Sequence, residues 1–104
     1  MLTDEEMLII AEKYLKKAED ESGIEVMIFR TIEKSYGNIY EYLPKKSYHI
    51  GGAAPFLVEK KTGRVVQFGS AGILEIQLKA YENGTMSTAL DTYWYPDEDR
   101  FDYK

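Results

Sequence analysis

Apolar residues at Met7, Ile10, Ala11, Tyr14, Leu15 and Ala18 recur at the three- and four-residue spacing that lines one face of an α-helix. Thr3-Asp4-Glu5-Glu6, just before them, has the form of a capping box: the threonine hydroxyl accepts an N–H of the first turn and the glutamate reaches back. Asp4 and Glu5 also suit the positive end of the helix dipole. These signals predict a helix over residues 4–19, with Gly23 closing the segment. The period then shortens to two. Ile24, Val26, Ile28 and Ile32 are expected on one face of a strand over residues 24–33, with Glu25, Met27, Phe29, Thr31 and Glu33 on the other. Ser35-Tyr36-Gly37-Asn38 reads as a turn, and residues 39–43 as a second strand antiparallel to the first. Pro44 cannot donate to a ladder and stops it.

After a loop over residues 45–52, two short apolar runs flank Lys60-Lys61-Thr62-Gly63. Phe56-Leu57-Val58 and Val65-Val66-Gln67-Phe68 are β-branched or aromatic, and the glycine supplies the positive φ of a tight reversal. They predict a hairpin of residues 56–59 and 64–68. Ser70 can cap a second helix, with Ile73, Leu74, Ile76, Gln77, Leu78, Ala80 and Tyr81 at helical spacing and Asn83-Gly84 as its stop. Residues 88–95 have strand-like content, and Pro96-Asp97-Glu98-Asp99 reads as a turn.

The order G-x-A-P-F-[LI]-[VI]-[ED]-K-x-[ST]-G, a short strand, then G-[ST]-A and an amphipathic helix resembles the small bacterial YrhB-like proteins, also called the Immunity protein 35 family. Gly52, Ala54, Pro55, Phe56, Leu57, Val58, Glu59, Lys60, Thr62, Gly63, Gly69, Ser70 and Ala71 carry the resemblance. It covers most of residues 1–84, is specific over 51–82, and does not extend to 85–104. It implies a protein that neutralises a toxin made by the same or neighbouring cells. Some family members are described instead as small chaperones.

The chain's 104 residues suit one domain, a family-like core over 1–84 with a C-terminal extension over 85–104. The expected class is α+β in two layers. An N-terminal helix and a second helix after the 56–68 hairpin would pack on one face of a four- to five-stranded, mostly antiparallel sheet, the tail adding an edge strand. No apolar run approaches the ~20 residues of a membrane helix, and the acidic N-terminus lacks the basic start of a signal peptide. A cytoplasmic location and no membrane partner are therefore expected. Cysteine is absent, which excludes disulfides and thiolate metal sites.

The net charge of −5 is unevenly placed. Residues 1–25 carry eight acids against three bases, residues 26–90 five against eight, and residues 91–104 five against two. Acidic ends on a mildly basic middle argue against nucleic acid, which needs a phosphate-neutralising face. They suit a basic protein partner, and equally the mild acidity that keeps a protein soluble.

Candidate chemistry is sparse. His49, the single histidine, could serve as a general base, but a lone loop histidine is more often a surface or packing residue. Gly51-Gly52 and Gly69-Ser70-Ala71-Gly72 lack the residues of a phosphate loop. Asp97, Glu98, Asp99 and Asp102 are dense enough to attract a weak cation yet lack a calcium-loop pattern. No cofactor, metal or catalytic residue is expected. The aromatic content says more: nine tyrosines, four phenylalanines and one tryptophan. Tyrosine and tryptophan give large rigid contact area with a polar handle and are enriched at interface hot spots. The expected partner surface is Tyr93, Trp94, Tyr95, Asp97, Glu98, Asp99 and Asp102, with Tyr40 and Tyr42 second; packing of the tail onto the domain is the competing role. These readings point to a non-enzymatic immunity protein, a monomer or weak homodimer, that occludes a cognate toxin. The alternatives are a small chaperone-like protein and an enzyme using His49.

Overall fold

The computed structural model describes residues 1–44, 55–68, 74–86, 93–98 and 100–101. The class is α+β: α1 (Asp4–Ser22), β1 (Val26–Lys34), β2 (Gly37–Pro44), β3 (Phe56–Glu59), β4 (Val65–Gln67), α2 (Leu74–Asn83), β5 (Tyr93–Tyr95) and β6 (Arg100–Phe101). All strand pairs are antiparallel and the sheet order follows the chain, β1-β2-β3-β4-β5-β6. Five strands have three residues or more. The tail adds β5 beside β4 and then the two-residue β6, so β6 and not β5 forms that edge.

The helix signals are realised in detail. Glu6 N–H donates to Thr3 Oγ1 at 3.2 Å and Thr3 N–H to Glu6 Oε1 at 3.0 Å, which closes the capping box. At the other end Gly23, at φ 73°, donates its N–H to Glu19 O at 2.7 Å and stops the helix at Ser22, three residues beyond the expected 19. Lys16–Asp20 and Lys17–Glu21 pairs run along that last stretch. They are i,i+4 pairs at the surface, with Lys17 half-buried, and contribute only a few tenths of a kcal/mol (~0.3) each.

The layering differs from expectation. The two helices lie on opposite faces of the sheet, which makes three layers. Met7, Ala11, Tyr14 and Leu15 of α1 pack with Tyr40, Phe56, Val58, Val65 and Trp94. Leu78 of α2 packs with Ile39, Leu57, Val66 and Phe68, and Tyr93 lies against that second cluster. Along each strand the two clusters take alternate residues, as side chains on a pleat must. Phe56, Leu57 and Val58 are all buried, as are Val65 and Val66. A continuous apolar run marks a strand covered on both sides, whereas a sheet with one wet face shows alternation.

A bulge in β1 corrects a second expectation. Ile28 lies opposite Tyr42 but Arg30 lies opposite Glu41, so Phe29 is an extra residue and the faces switch there. Val26 and Ile28 pack toward α1, while Ile32, opposite Ile39, packs toward α2. The first hairpin turns through Ser35-Tyr36, and Gly37 already belongs to β2. Its φ is 156°, and a Cβ there would stand 2.2 Å from the carbonyl oxygen of Val58. That carbonyl belongs to a central strand and cannot move aside. At the second turn Gly63, at φ 77°, donates to Glu59 O at 2.8 Å and lies under the Ile10 side chain. Leu2 N–H bonds Lys60 O at 2.9 Å, which ties the N-terminus to the same turn.

Gly37→Ala should therefore lower stability by about 3 kcal/mol, from backbone strain and displacement of β3. Urea unfolding monitored by Trp94 fluorescence measures it; a loss below about 1 kcal/mol would show that β2 and β3 separate freely at this point.

Candidate functional site

A cluster of polar side chains lies on the α2 face, where the β3–β4 turn meets β5. Glu59 ends β3, and Arg64 stands just before β4. The ladder pairs Val58 with Val65, so the next step outward sets Glu59 opposite Arg64. Arg64 donates Nε to Glu59 Oε1 at 2.7 Å and Nη2 to Oε2 at 2.9 Å, a two-pronged bond whose geometry only a guanidinium supplies. Thr62 Oγ1 adds a donor to Oε1 at 3.1 Å, and the Tyr81 hydroxyl of α2 donates to Oε2. The carboxylate thus accepts four hydrogen bonds.

Arg64 also reaches the tail. Its guanidinium sits 4.1 Å from the Tyr93 ring centroid, and it hydrogen-bonds the Tyr95 phenol. One arginine therefore joins β3, β4 and β5, and through Glu59 it reaches α2. Tyr36 packs on Tyr81 at 5.3 Å between centroids and donates to Glu82 Oε2 at 2.6 Å. Two open clefts of about 570 and 480 Å³ flank this cluster and share Tyr36, Arg64 and Tyr81 as walls.

The electrostatics describe a fastening. Burial pushes the Glu59 carboxyl up, but the bonds from Arg64, Tyr81 and Thr62 outweigh it and hold the group below the ordinary carboxylate range. Burial, then the bond to Glu59, raises Tyr81; burial, then the bond to Glu82, raises Tyr36. The bonds to Glu59 also raise Arg64 against its burial. A general base needs a pKa near working pH and an open lone pair. Glu59 is held ionised with its oxygens occupied, and both phenols are held protonated as donors. The cluster suits holding a shape better than moving protons.

The expected partner surface divides. Trp94 is 4% exposed, with its ring 5.6 Å from Tyr14, so it belongs to the core beneath α1 and cannot anchor a partner. Tyr40 is 1% exposed and packs on Phe56, and Tyr42 is half-buried against the same ring. Both point at α1 because β2 turns alternate residues inward there, so they are not a second surface patch. Tyr93 and Tyr95 are half-buried in the Arg64 cluster. Asp97 and Glu98 are exposed on the β5–β6 turn, and Lys13, Lys16 and Lys17 of α1 line a shallow cleft with Trp94 and Pro96 beside it. His49, Asp99, Asp102, Gly51-Gly52 and the 69–72 glycine run lie outside the described residues. Among the described residues no three His, Cys, Asp or Glu side chains come together to hold a metal, and no helix is long and apolar enough to cross a membrane.

Sequence reasoning placed Glu59, Thr62 and Arg64 in the hairpin, Tyr36 in a turn and Tyr81 on the second helix, but joined none of them in a polar cluster and did not single out Glu82. The signal for Arg64 was present: an acid and a base flanking a four-residue turn face each other across the hairpin. The two tyrosines carried no comparable signal, because the side on which α2 packs decides their role. Comparison with protein-family models, with curated proteins and with solved structures gave no match.

Two outcomes follow. Trp94→Ala should cost about 3–5 kcal/mol, as large-to-small changes in a packed core do, and urea unfolding reads it. Because the folded pKa of Glu59 lies below the unfolded value of about 4.3, its stabilisation is present above that pH and is lost as pH falls through the folded value. Glu59→Gln should cost about 2 kcal/mol at neutral pH and should flatten the acid limb of a stability-against-pH curve. An unchanged acid limb would mean that Glu59 is not the group that titrates there.

Proposed function

We propose that the chain is a non-enzymatic immunity protein that binds a cognate toxin domain through its acidic tail and occludes it. The observation that carries this reading is the fixed position of the β5–β6 turn. Trp94 anchors β5 from the α1 side and Arg64 holds Tyr93 and Tyr95 from the α2 side, which leaves Asp97 and Glu98 exposed between. A turn held in place loses little entropy on binding, and that loss is a main cost of association. Carboxylates at such a site attract lysine and arginine on an approaching partner and speed encounter. The resemblance over residues 51–82 implies this role or that of a small chaperone and does not reach the tail, where Tyr93 and Tyr95 are half-buried neighbours of the acids. Trp94 serves as their support.

A small chaperone-like role is the second reading. It is favoured by Met27, Phe29, Leu43 and Ile76, each about half exposed or more. Suppression of the aggregation of unrelated proteins, together with strong binding of an apolar dye, would select it over the first.

The proposal expects a toxin domain to be encoded beside this chain, and growth rescue in cells expressing that domain tests it directly; a neighbouring gene that encodes no such domain counts against it. With that domain in hand, Asp97→Asn combined with Glu98→Gln should slow association several-fold at about 50 mM salt, and the difference should shrink at about 500 mM, where exposed charges are screened. Folding stability should change by less than about 1 kcal/mol, because interactions of exposed carboxylates contribute little. Association rates that ignore both the substitutions and the salt would remove the tail acids from the interface.

A further inference from the structure

The outer edge of β1 bears nine residues of strand, and among the described residues no strand pairs with it. Such an edge offers a row of backbone donors and acceptors to another chain. Its side chains are unusually apolar for an open edge: Met27 is 49% and Phe29 51% exposed, with Leu43, opposite Met27 on β2, 48% exposed.

We propose that this edge pairs with its own copy. The second strand runs antiparallel about a two-fold axis between Phe29 and Arg30, and joins two sheets into one. The argument is the bulge. Residues opposite one another in a ladder must point to the same face. Ile28 and Thr31 do so, because they oppose Tyr42 and Tyr40, which are two apart on β2. Met27 and Ile32 oppose Leu43 and Ile39, and Val26 and Glu33 oppose Pro44 and Asn38, so each of these pairs also shares a face. The pattern of faces is therefore symmetric about the bulge. In a regular strand residues three or five apart would point opposite ways where they now agree.

The register this allows also suits the chemistry. It sets Phe29 against Arg30 twice and Met27 against Ile32 twice, and continuing it one residue beyond β1 sets Glu25 against Lys34 of the other copy twice. Opposite charges, a cation on an aromatic ring and an apolar pair are each favourable across strands. The registers open to a strand without the bulge are worse. Centred on Phe29, the axis faces Glu25 with Glu33; centred on Arg30, it faces that guanidinium with its own copy. An interface about a two-fold axis is self-complementary by construction, so one favourable pair is always two.

Sedimentation equilibrium of the full chain tests it. The unsubstituted chain should form a concentration-dependent dimer. Glu25→Lys alone and Lys34→Glu alone each set like charges face to face at two places and should raise the dissociation constant about tenfold. The double variant exchanges the partners and should return it to within about twofold of the starting value. Phe29→Lys, which places a charge on the edge, should leave only monomer. Both charged positions are exposed, so the fold survives the changes. A chain that stays monomeric at about 1 mM, as one whose edge awaits a strand from a different protein would, overturns the proposal. So does a dimer that the single charge changes leave intact, or one that the double variant fails to restore.

Discussion

Val58 lies under α1 while its neighbour Leu57 lies under α2, and the same division runs through Val65 and Val66 across the hairpin. Water is thus excluded from both faces of the β3–β4 pair, and most of the fold follows from that. Two layers must cover it, one per face, so the chain after β4 has to place α2 on the side that α1 leaves open. Removing either cover would expose three or more large apolar side chains, each contributing about 1.5–3 kcal/mol when buried. The glycines at both turns answer the same demand: Gly37 lets β2 approach the β3 backbone, and Gly63 lets α1 rest on the hairpin turn.

Where this doubly covered strand pair ends, its polar residues meet a half-dry environment. Taking a carboxylate and a guanidinium partly out of water is costly, and the cost is offset only when every lone pair and donor finds a partner in good geometry. Glu59 approaches that condition with four accepted hydrogen bonds, and Arg64 adds its contacts to Tyr93 and Tyr95. Glu59, Thr62 and Arg64 of the β3–β4 hairpin thereby form a structural device. It fastens the tail strand and the second helix to the hairpin, which is why a stretch outside the resemblance still becomes part of the sheet.

The two edges of the sheet differ in chemistry. At one end the β5–β6 turn is acidic, polar and held from both sides, which suits recognition of a basic protein surface. At the other, β1 is apolar and bulged, with charges placed for pairing in one register. Because β1 and β6 are the two ends of a six-stranded order, a second copy at one edge would leave the other open to the protein partner proposed above. The two kinds of contact can then coexist in one assembly.

Local chemistry written in the chain fixed much of this. The capping box at Thr3 and Glu6, the stop at Gly23, the hairpin around Lys61 and Thr62, and the stop at Gly84 are all short-range effects, legible because the interacting atoms are a few residues apart. The α+β class follows from the change of period between them. The even run Phe56-Leu57-Val58 already carried the sign of two covered faces, but which helix covers which face depends on contacts between residues far apart in sequence. The same holds for the bulge at Phe29, which a period of two cannot express, and for Trp94 and Tyr40, whose aromatic rings look alike on paper whether they meet a partner or the core. Those were decided by tertiary packing, because a side chain's surroundings are set by the elements brought against it and not by its neighbours along the chain.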